Sequence, residues 1–190
     1  MFTGKHRTDL DLSGKTVLIT GAASPAGIGH SLAIDLLNLP KAPSRLILWD
    51  IAEFVDFENG ETRKNTTIIT RNVDVTDYEK VNELIKNDGS IHVCVCNAGI
   101  GVGLKFKDMP FAKYMKTIDV NFLAKVQMTK TVLEHHFDTV RSTILVRLQN
   151  LVIFEVFGVE FSAKKSKFSK LTFLLAPRAR FMVKFLKIHF

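Results

Sequence analysis

A glycine-rich loop between a buried strand and an amphipathic helix constrains this chain more than any other feature. The apolar run Lys15–Thr20 predicts a strand, and Ile28–Leu39 carries apolar residues at helical spacing and stops before Pro40. Between them, residues 21–29 read GAASPAGIG. A helix N-terminus offers unpaired backbone N–H groups and a partial positive charge, and glycines let phosphates approach the backbone closely. The loop therefore predicts a pyrophosphate site.

Strand and helix patterns alternate along the chain as far as residue 150. Such alternation predicts an α/β fold with a Rossmann-type, doubly wound parallel sheet, which we expect to be incomplete at its C-terminal end. The paired histidines at the end of the last predicted helix indicate a cationic C-terminal turn. The further predicted strands are Arg45–Asp50, Thr66–Val75, Ile91–Cys96 and Ser142–Leu148. The further predicted helices are Thr76–Lys86, with Thr76 or Asp77 as N-cap, and one or two helices within Phe111–His135.

An acidic residue, Asp50, closes the second predicted strand. At this position a carboxylate can accept hydrogen bonds from ribose hydroxyls and would repel a 2′-phosphate. No Lys or Arg follows Asp50 closely, so NAD is favoured over NADP as the cofactor. The alternative is that Asp50 acts only as a turn residue at the end of its strand.

The positive charge of the chain lies at its end. The formal net charge is +7, but residues 1–150 hold 18 Lys and Arg against 17 Asp and Glu, whereas residues 151–190 hold 8 against 2. The sequence therefore divides into an NAD-binding Rossmann-like domain (1–150) and a diverged or truncated, basic, Phe-rich segment (151–190). Residues 161–190 could lie on an anionic membrane or a lipid droplet. Alternatively, they form a helix and a final strand, Phe181–Ile188, docked on the sheet, or a poorly ordered tail.

The remaining composition argues against several classes of protein. Cys94 and Cys96 point the same way on a predicted strand, so we expect buried, reduced thiols rather than a disulfide, and no metal site is indicated. No nucleic-acid-binding motif is present, so nucleic acid is not expected as a partner. Residues 1–12 do not resemble a signal peptide, and no run approaches the roughly 18 apolar residues of a membrane helix. These features predict a cytoplasmic protein, or one peripheral to a membrane or lipid droplet.

Four ordered motifs together resemble the short-chain dehydrogenase/reductase family: the glycine loop, Asn72–Val75, Asn97–Gly99 and Val120–Asn121. The segments at 46–50 and 120–124 are most similar to the branch of 17-beta-hydroxysteroid and retinol dehydrogenases. The resemblance covers roughly residues 10–150. It implies hydride transfer between NAD(P) and an alcohol or ketone of a small hydrophobic substrate (a steroid, retinoid or lipid-like molecule), in a protein that forms homo-oligomers.

The resemblance also implies roles for individual residues. The three loop glycines would form the diphosphate turn, Asp74 would meet the adenine, Asn97 would brace the strand behind the cofactor, and Asn121 would match the active-site asparagine. The family usually has three residues between the first two loop glycines, and here there are five, including Pro25. The two extra residues would either bulge away from the phosphates or weaken cofactor binding. The predicted cofactor-binding residues are Gly21, Ser24, Gly27, Ile28, Gly29, Asp50, Asp74, Val75, Asn97, Ala98 and Gly99.

The catalytic end of the resemblance departs from the family. Family members use a Tyr as proton donor, with a Lys four residues later. Neither Tyr78 nor Tyr114 has a Lys at that offset. The best match is Phe161–Lys165, which keeps Lys165 but places Phe161, which has no proton to donate, at the tyrosine position. Asn121 and Lys165 are therefore the predicted catalytic residues.

Two interpretations of this departure follow. In the first, the active site has diverged, and the protein is a pseudoenzyme or a poor reductase. In the second, the chain leaves the family pattern between Arg141 and Phe161 through alternative splicing or a mispredicted gene end, and the shift in composition favours this one. The predicted function is an NAD(P)-dependent oxidoreductase, and the alternative is a catalytically inactive NAD-binding or interaction protein.

Overall fold

In the part of the chain that the structure describes, the central element is a seven-stranded, mostly parallel sheet. The computed structural model describes residues 10–104, 106–136, 143–147 and 185–188. In spatial order the strands run β3-β4-β2-β1-β5-β6-β7, and the five central strands are parallel, as predicted for a doubly wound fold. The strands are β1 (Thr16–Thr20), β2 (Arg45–Asp50), β3 (Thr62–Arg63), β4 (Thr66–Asn72), β5 (Val93–Cys96), β6 (Thr143–Arg147) and β7 (Phe185–Ile188).

Helices cover both faces of this sheet because successive strand residues point to opposite sides. Val17 and Ile19 pack with residues of one helix, while Leu18 packs on the opposite side with the other helices. Among the helices that the structure describes, none combines the length and apolar character needed to cross a bilayer. The helices are α1 (Ile28–Leu37), α2 (Tyr78–Asn87), α3 (Phe111–Ile118) and α4 (Ala124–His136), with a 3₁₀ turn at Phe106–Asp108 and a π-helical turn at Asp119–Leu123.

The strand after β2 is shorter than predicted. The pattern over Thr66–Val75 predicts a strand of ten residues, but β4 ends at Asn72. The chain turns there because the Asp74 carboxylate accepts hydrogen bonds from the backbone N–H and the hydroxyl of Thr76, at 2.9 and 2.7 Å. Asp77 then caps α2 by accepting from the N–H of Lys80, which selects one of the two predicted N-caps.

The predicted doubly wound parallel sheet is confirmed, and each of its edges adds a short antiparallel strand. Strand β3 pairs antiparallel with β4, and β7 pairs antiparallel with β6. The hairpin that contains β3 was not predicted because a two-residue strand carries no readable periodicity. Strand β7 falls within the predicted final strand Phe181–Ile188.

The division at residue 150 stays a prediction, since most of residues 151–190 lie outside the described part of the chain.

The structure tests two local predictions from the sequence. The prediction of buried, reduced thiols is confirmed, because Cys94 and Cys96 are free and fully buried, with their Sγ atoms 3.8 Å apart. The prediction of a cationic turn is wrong for His136. That side chain is buried, its Nε2 lies 3.0 Å from the Ile85 carbonyl oxygen, and burial lowers its pKa. A neutral imidazole therefore ends α4.

Candidate nucleotide-binding site

The candidate site lies at the carboxyl ends of the parallel strands, where the strand order reverses. Strand β1 lies between β2 and β5, so the chain winds away from β1 in one direction and returns on its other side. Ligands of open α/β sheets bind in the crevice that this reversal creates. A cavity of 530 Å³ opens there. Its lining residues are Gly21, Ser24, Ala26, Gly27, Ile28, Asp50, Ile51, Val73, Asp74, Val75, Asn97, Ala98, Gly99, Ile100, Lys116 and Val120.

Two glycines let the loop, helix α1 and the end of β5 pack against one another. Gly21 has φ +70°, and a Cβ there would lie 2.8 Å from the Cα of Ala98. A Cβ on Gly29 would lie 2.2 Å from the carbonyl oxygen of Gly21 and 2.7 Å from Nδ2 of Asn97. Both positions exclude any side chain. Gly29 is also the one predicted cofactor-binding residue that does not line the cavity, because it packs behind the loop.

The two extra loop residues form a tight turn rather than an open bulge. The N–H of Gly27 donates to the carbonyl oxygen of Ser24 at 2.7 Å, which closes the chain around Pro25 and Ala26. Ser24, Ala26 and Gly27 still line the cavity, and α1 begins directly afterwards at Ile28. The atypical spacing therefore leaves the helix N-terminus at the cavity. Its effect on cofactor affinity stays a prediction.

Asn97 fastens β5 to β1 at the base of the cavity. Its amide nitrogen donates to the carbonyl oxygens of Thr20 and Gly21 at 2.9 and 3.0 Å. The hydroxyl of Thr20 in turn accepts from the backbone N–H groups of Asn97 and Ala98, both at 3.0 Å. Thr20 and Asn97 are buried, so their polar groups need partners. The geometry places Asn97 in the bracing position that the resemblance implies.

Asp50 acts as a turn residue at the end of its strand and also lines the cavity, and its role toward a ribose stays a prediction. One carboxylate oxygen accepts from the N–H of Ala23 at 2.8 Å, and the other accepts from the N–H of Ala52 at 3.0 Å. The first bond ties the glycine-rich loop to the end of β2, and the second shapes the turn that follows this strand. A carboxylate oxygen can accept two hydrogen bonds. Asp50 thus lies at the cavity wall as a turn residue that retains capacity to accept from a ligand.

A second acid, Asp74, and a lysine, Lys116, also line the cavity. Hydrogen bonding from the Thr76 backbone N–H, together with its hydroxyl and the positive charge of Lys116, holds the pKa of Asp74 below its usual range despite partial burial. Lys116 belongs to α3 and lines the cavity with Asp74 and Val75. The cavity therefore presents an ionised Asp74 carboxylate at neutral pH, with the side chain of Lys116 near it.

Asn121 lies behind the cavity. It is 7% exposed and belongs to the π-helical turn between α3 and α4. Its Oδ1 accepts from the N–H of Ile100, and its Nδ2 donates to the carbonyl oxygen of the same residue, each at 2.8 Å. Asn121 therefore holds the backbone of a cavity-lining residue in place. Its predicted catalytic role stays a prediction, and Lys165 and Phe161 lie outside the described residues.

Tyr78 has an environment that disfavours acid–base chemistry. Burial and a hydrogen bond from its hydroxyl to the Asp119 carboxylate raise its pKa to about 12. A proton donor for reduction of a carbonyl needs a phenol whose pKa is shifted toward neutrality. The structure therefore supports the exclusion of Tyr78 as the catalytic tyrosine.

Sequence reasoning found most of the cavity wall and missed the rest for identifiable reasons. Ile51, Val73 and Ile100 each adjoin a predicted residue, and extending each motif by one position would have found them. Lys116 and Val120 lie one helical turn apart. Whether their side of the helix meets the cavity depends on how α3 packs over the sheet. The residues that were missed are Ala26, Ile51, Val73, Ile100, Lys116 and Val120.

A second cavity adjoins the first. It has a volume of 540 Å³ and shares Ile100 and Lys116 with the nucleotide cavity. Its other lining residues are Gly101, Val102, Gly103, Leu104 and Lys113. Within the described ranges, no three His, Cys, Asp or Glu side chains form a cluster that could hold a metal ion. The site therefore consists of two adjoining cavities that share part of their lining.

Comparison with known proteins agrees with this geometry. A family model described as short chain dehydrogenase matches residues 15–146. Epidermal retinol dehydrogenase 2 of Homo sapiens is 33% identical over 130 residues, covering 65% of this chain and 40% of that protein. The 17-beta-hydroxysteroid dehydrogenase 13 of Rattus norvegicus is 32% identical over 130 residues, covering 64% of this chain and 41% of that protein. The chain thus spans about two fifths of the length of these relatives.

Solved structures show the same fold. Carveol dehydrogenase from Mycobacterium avium, solved in complex with NAD, superposes with a TM-score of 0.54 over 67% of this chain and 51% of that chain. The two sequences are 23% identical. At this identity the likeness concerns the fold alone.

Proposed function

The chain belongs to the short-chain dehydrogenase family, and on that premise we propose that it binds NAD as part of an oxidoreductase for hydrophobic alcohols or ketones. The observation that carries the proposal is the cavity at the carboxyl edge of the sheet. All predicted cofactor-binding residues except Gly29 line it. Its volume falls within the roughly 300–1,000 Å³ of small-molecule sites.

Residues of the cavity match the phosphates, the ribose and the adenine of a dinucleotide. The backbone N–H groups in the first turn of α1, which begins at Ile28 beside the cavity, would bind the two phosphates. Asp50 would accept from the ribose hydroxyls with the lone pairs that Ala23 and Ala52 do not use. The ionised carboxylate of Asp74 would accept from the adenine amino group. The negative charge of Asp50 supports NAD over NADP, since a 2′-phosphate would lie against it.

When bound, the cofactor would supply or accept the hydride. The chain's own residues would orient the nicotinamide ring of the cofactor and exclude water around it. Asn121 would contribute by fixing the backbone of Ile100, which lines both cavities. The apolar side chains of Ile100, Val102 and Leu104 support a hydrophobic substrate in the adjoining cavity. The retinol and 17-beta-hydroxysteroid dehydrogenases that the chain resembles agree with that class of substrate.

Cofactor binding can be measured with the single tryptophan of the sequence. Trp49 is fully buried and precedes Asp50, so NADH in the cavity should accept excitation energy from it. We expect NADH to bind about tenfold more tightly than NADPH, and Asp50→Ala to weaken NADH binding about tenfold. Glu83→Gln, an exposed acid on α2, is the control and should change neither affinity. Absence of energy transfer in the unsubstituted protein would contradict the proposal.

A second experiment separates the oxidoreductase from an inactive NAD-binding protein. Purified protein is incubated with NAD and a panel of secondary alcohols, and the absorbance of NADH is followed. Turnover that is abolished by Lys165→Ala supports the enzyme. Cofactor binding without turnover, with activity appearing in Phe161→Tyr, would instead support the inactive alternative.

A further inference from the structure

A side-chain hydrogen bond joins the segments that carry two walls of the nucleotide cavity, the Val73–Val75 segment and the turn that contains Val120. The hydroxyl of Tyr78, the first residue of α2, donates to the carboxylate of Asp119, the first residue of the π-helical turn. The tyrosine ring also packs against the core on that side of the sheet. Neither residue lines the cavity itself. The bond joins residues 41 positions apart, so the sequence gives no indication of it.

Tyr78 lies close in sequence to one wall of the cavity. It follows the lining segment Val73–Val75 after two residues, and this short connection is held by the bonds from Thr76 to Asp74 and from Lys80 to Asp77. A shift in the first turn of α2 must therefore move the segment that carries Asp74 and Val75.

Asp119 is as closely connected to the other wall. Val120 follows it directly and lines the cavity, and Asn121 holds the lining residue Ile100 by two hydrogen bonds. The π-helical turn departs from the regular α-helical hydrogen-bond pattern. The hydroxyl of Tyr78 contacts the first residue of this turn.

We propose that Tyr78 and Asp119 are positioning residues that set the distance between the Val75 and Val120 walls of the nucleotide cavity. The identity of the ligand rests on the proposed function, whereas the effect on the cavity wall does not. A hydrogen bond to a carboxylate is stronger than one between neutral groups, and the tyrosine ring has few rotatable bonds. The attraction between Lys116 and Asp74 acts across the same gap.

Tyr78→Phe removes the hydroxyl and keeps the ring, so the core packing of α2 is retained. We expect this variant to weaken NADH binding three- to tenfold in the Trp49 energy-transfer measurement, with Asp119→Ala giving a similar loss. Asp119→Asn keeps an oxygen that can accept from Tyr78 and should stay within twofold of the unsubstituted protein. Combining Tyr78→Phe with Asp119→Ala should add little to either single substitution, because both remove the same bond.

Asn82→Ala is the matched control. Asn82 lies on α2 one turn after Tyr78, and its Oδ1 is 2.9 Å from Nε2 of His135 on α4, so it also joins α2 to a neighbouring helix. This bond does not reach the π-helical turn. Asn82→Ala should leave NADH affinity unchanged. Equal losses in Asn82→Ala and Tyr78→Phe would indicate a general structural role and overturn the proposal.

Amide hydrogen exchange at Ile100 tests the wall without any cofactor. Tyr78→Phe should speed exchange of this N–H several-fold, in the same direction as Asn121→Ala, which removes its acceptor. Unchanged exchange at Ile100 in Tyr78→Phe would refute the positioning role. If the unsubstituted protein shows no NADH binding while Tyr78→Phe still speeds this exchange, the proposed function fails and the positioning inference stands.

Discussion

The two edges of the parallel sheet use polar groups in different ways. At the carboxyl edge, backbone groups and small residues surround an open cavity, and Asp50 and Asn97 hold loops around it. At the amino edge, the polar groups pair with one another. There the carbonyl oxygen of Asp88 accepts from Arg45 at 2.8 Å, and the Asp88 carboxylate pairs with the side chain of Arg71, which comes from near the carboxyl end of β4. The N–H of Thr16 donates to Nδ1 of His92 at 3.1 Å.

This difference follows from the functions expected of the two edges, ligand binding at the carboxyl edge and structural support at the amino edge. A ligand site has to leave hydrogen-bonding capacity unused, whereas a purely structural edge is most stable when its buried polar groups are paired. Substitutions at the carboxyl edge should therefore affect both stability and cofactor binding. Those at the amino edge should affect stability alone.

The largest effect is expected at the carboxyl edge for Gly29→Ala. The new methyl group would lie 2.2 Å from the Gly21 carbonyl oxygen, a backbone atom that cannot move without displacing the loop. We expect a loss of about 3 kcal/mol in the free energy of unfolding, measured by urea denaturation, together with loss of NADH binding. Gly103→Ala is the control, because its methyl group would meet open space. A change below about 0.5 kcal/mol is expected there.

A smaller loss is expected for Thr20→Val, which keeps the shape of the side chain. The substitution leaves the N–H groups of Asn97 and Ala98 without their acceptor. We expect a loss of about 2 kcal/mol in the free energy of unfolding and weaker NADH binding, since both residues line the cavity. Unchanged NADH affinity would show that the base of the cavity tolerates this loss, and would weaken the distinction between the edges.

Asp88→Ala tests the amino edge. The Asp88 side chain is 2% exposed and pairs with Arg71, which is 29% exposed and would lose its partner. We expect a loss of between about 1 and 2 kcal/mol in stability, because solvent can still reach the guanidinium group. NADH affinity should not change. Glu83→Ala breaks an exposed pair with Lys80 and should change stability by less than about 0.5 kcal/mol.

The smallest expected effect is the dependence of the free energy of unfolding on pH, which also differs between the two edges. Burial lowers the pKa of His92 and of His136 below the ordinary 6.5. The unfolded chain therefore binds more protons than the folded one below about pH 6.5, and stability should decrease as the pH falls from 7.5 to 5. His136→Gln should reduce that decrease in urea unfolding. The pKa of Asp74 is lowered from 3.8, so the stability that it contributes is lost only as the pH falls below that value.

Local sequence patterns predicted much of the fold and of the site. The bounds of β2 agree with its apolar run, and the glycine loop, Asp50, Asp74 and Asn97 all lie at the cavity where their motifs indicated. These predictions succeed because each depends on a few neighbouring residues. A buried strand has a short apolar run, and the end of a parallel strand lies at the ligand-binding edge whatever the rest of the chain does.

Other features arise from contacts between distant segments. Strand β5 starts at Val93 rather than Ile91. This start reflects the hydrogen bond from the N–H of Thr16 to the imidazole of His92, between neighbouring strands. Lys116 faces the cavity only because of the way α3 packs beside Asp74. Periodicity describes which face of a helix is apolar, but it does not say which neighbour that face meets.

The sequence by itself determined the order of the helices and of the strands other than β3, the glycine loop and the acids that follow the strands, because all of these depend on local composition and spacing. Only the tertiary structure decided that Asn121 holds Ile100, that His136 is buried and neutral, and that Tyr78 reaches Asp119. Each of these contacts joins residues at least 21 positions apart. Such partners meet only after the sheet and its covering helices have assembled, so the packing of the whole domain selects them.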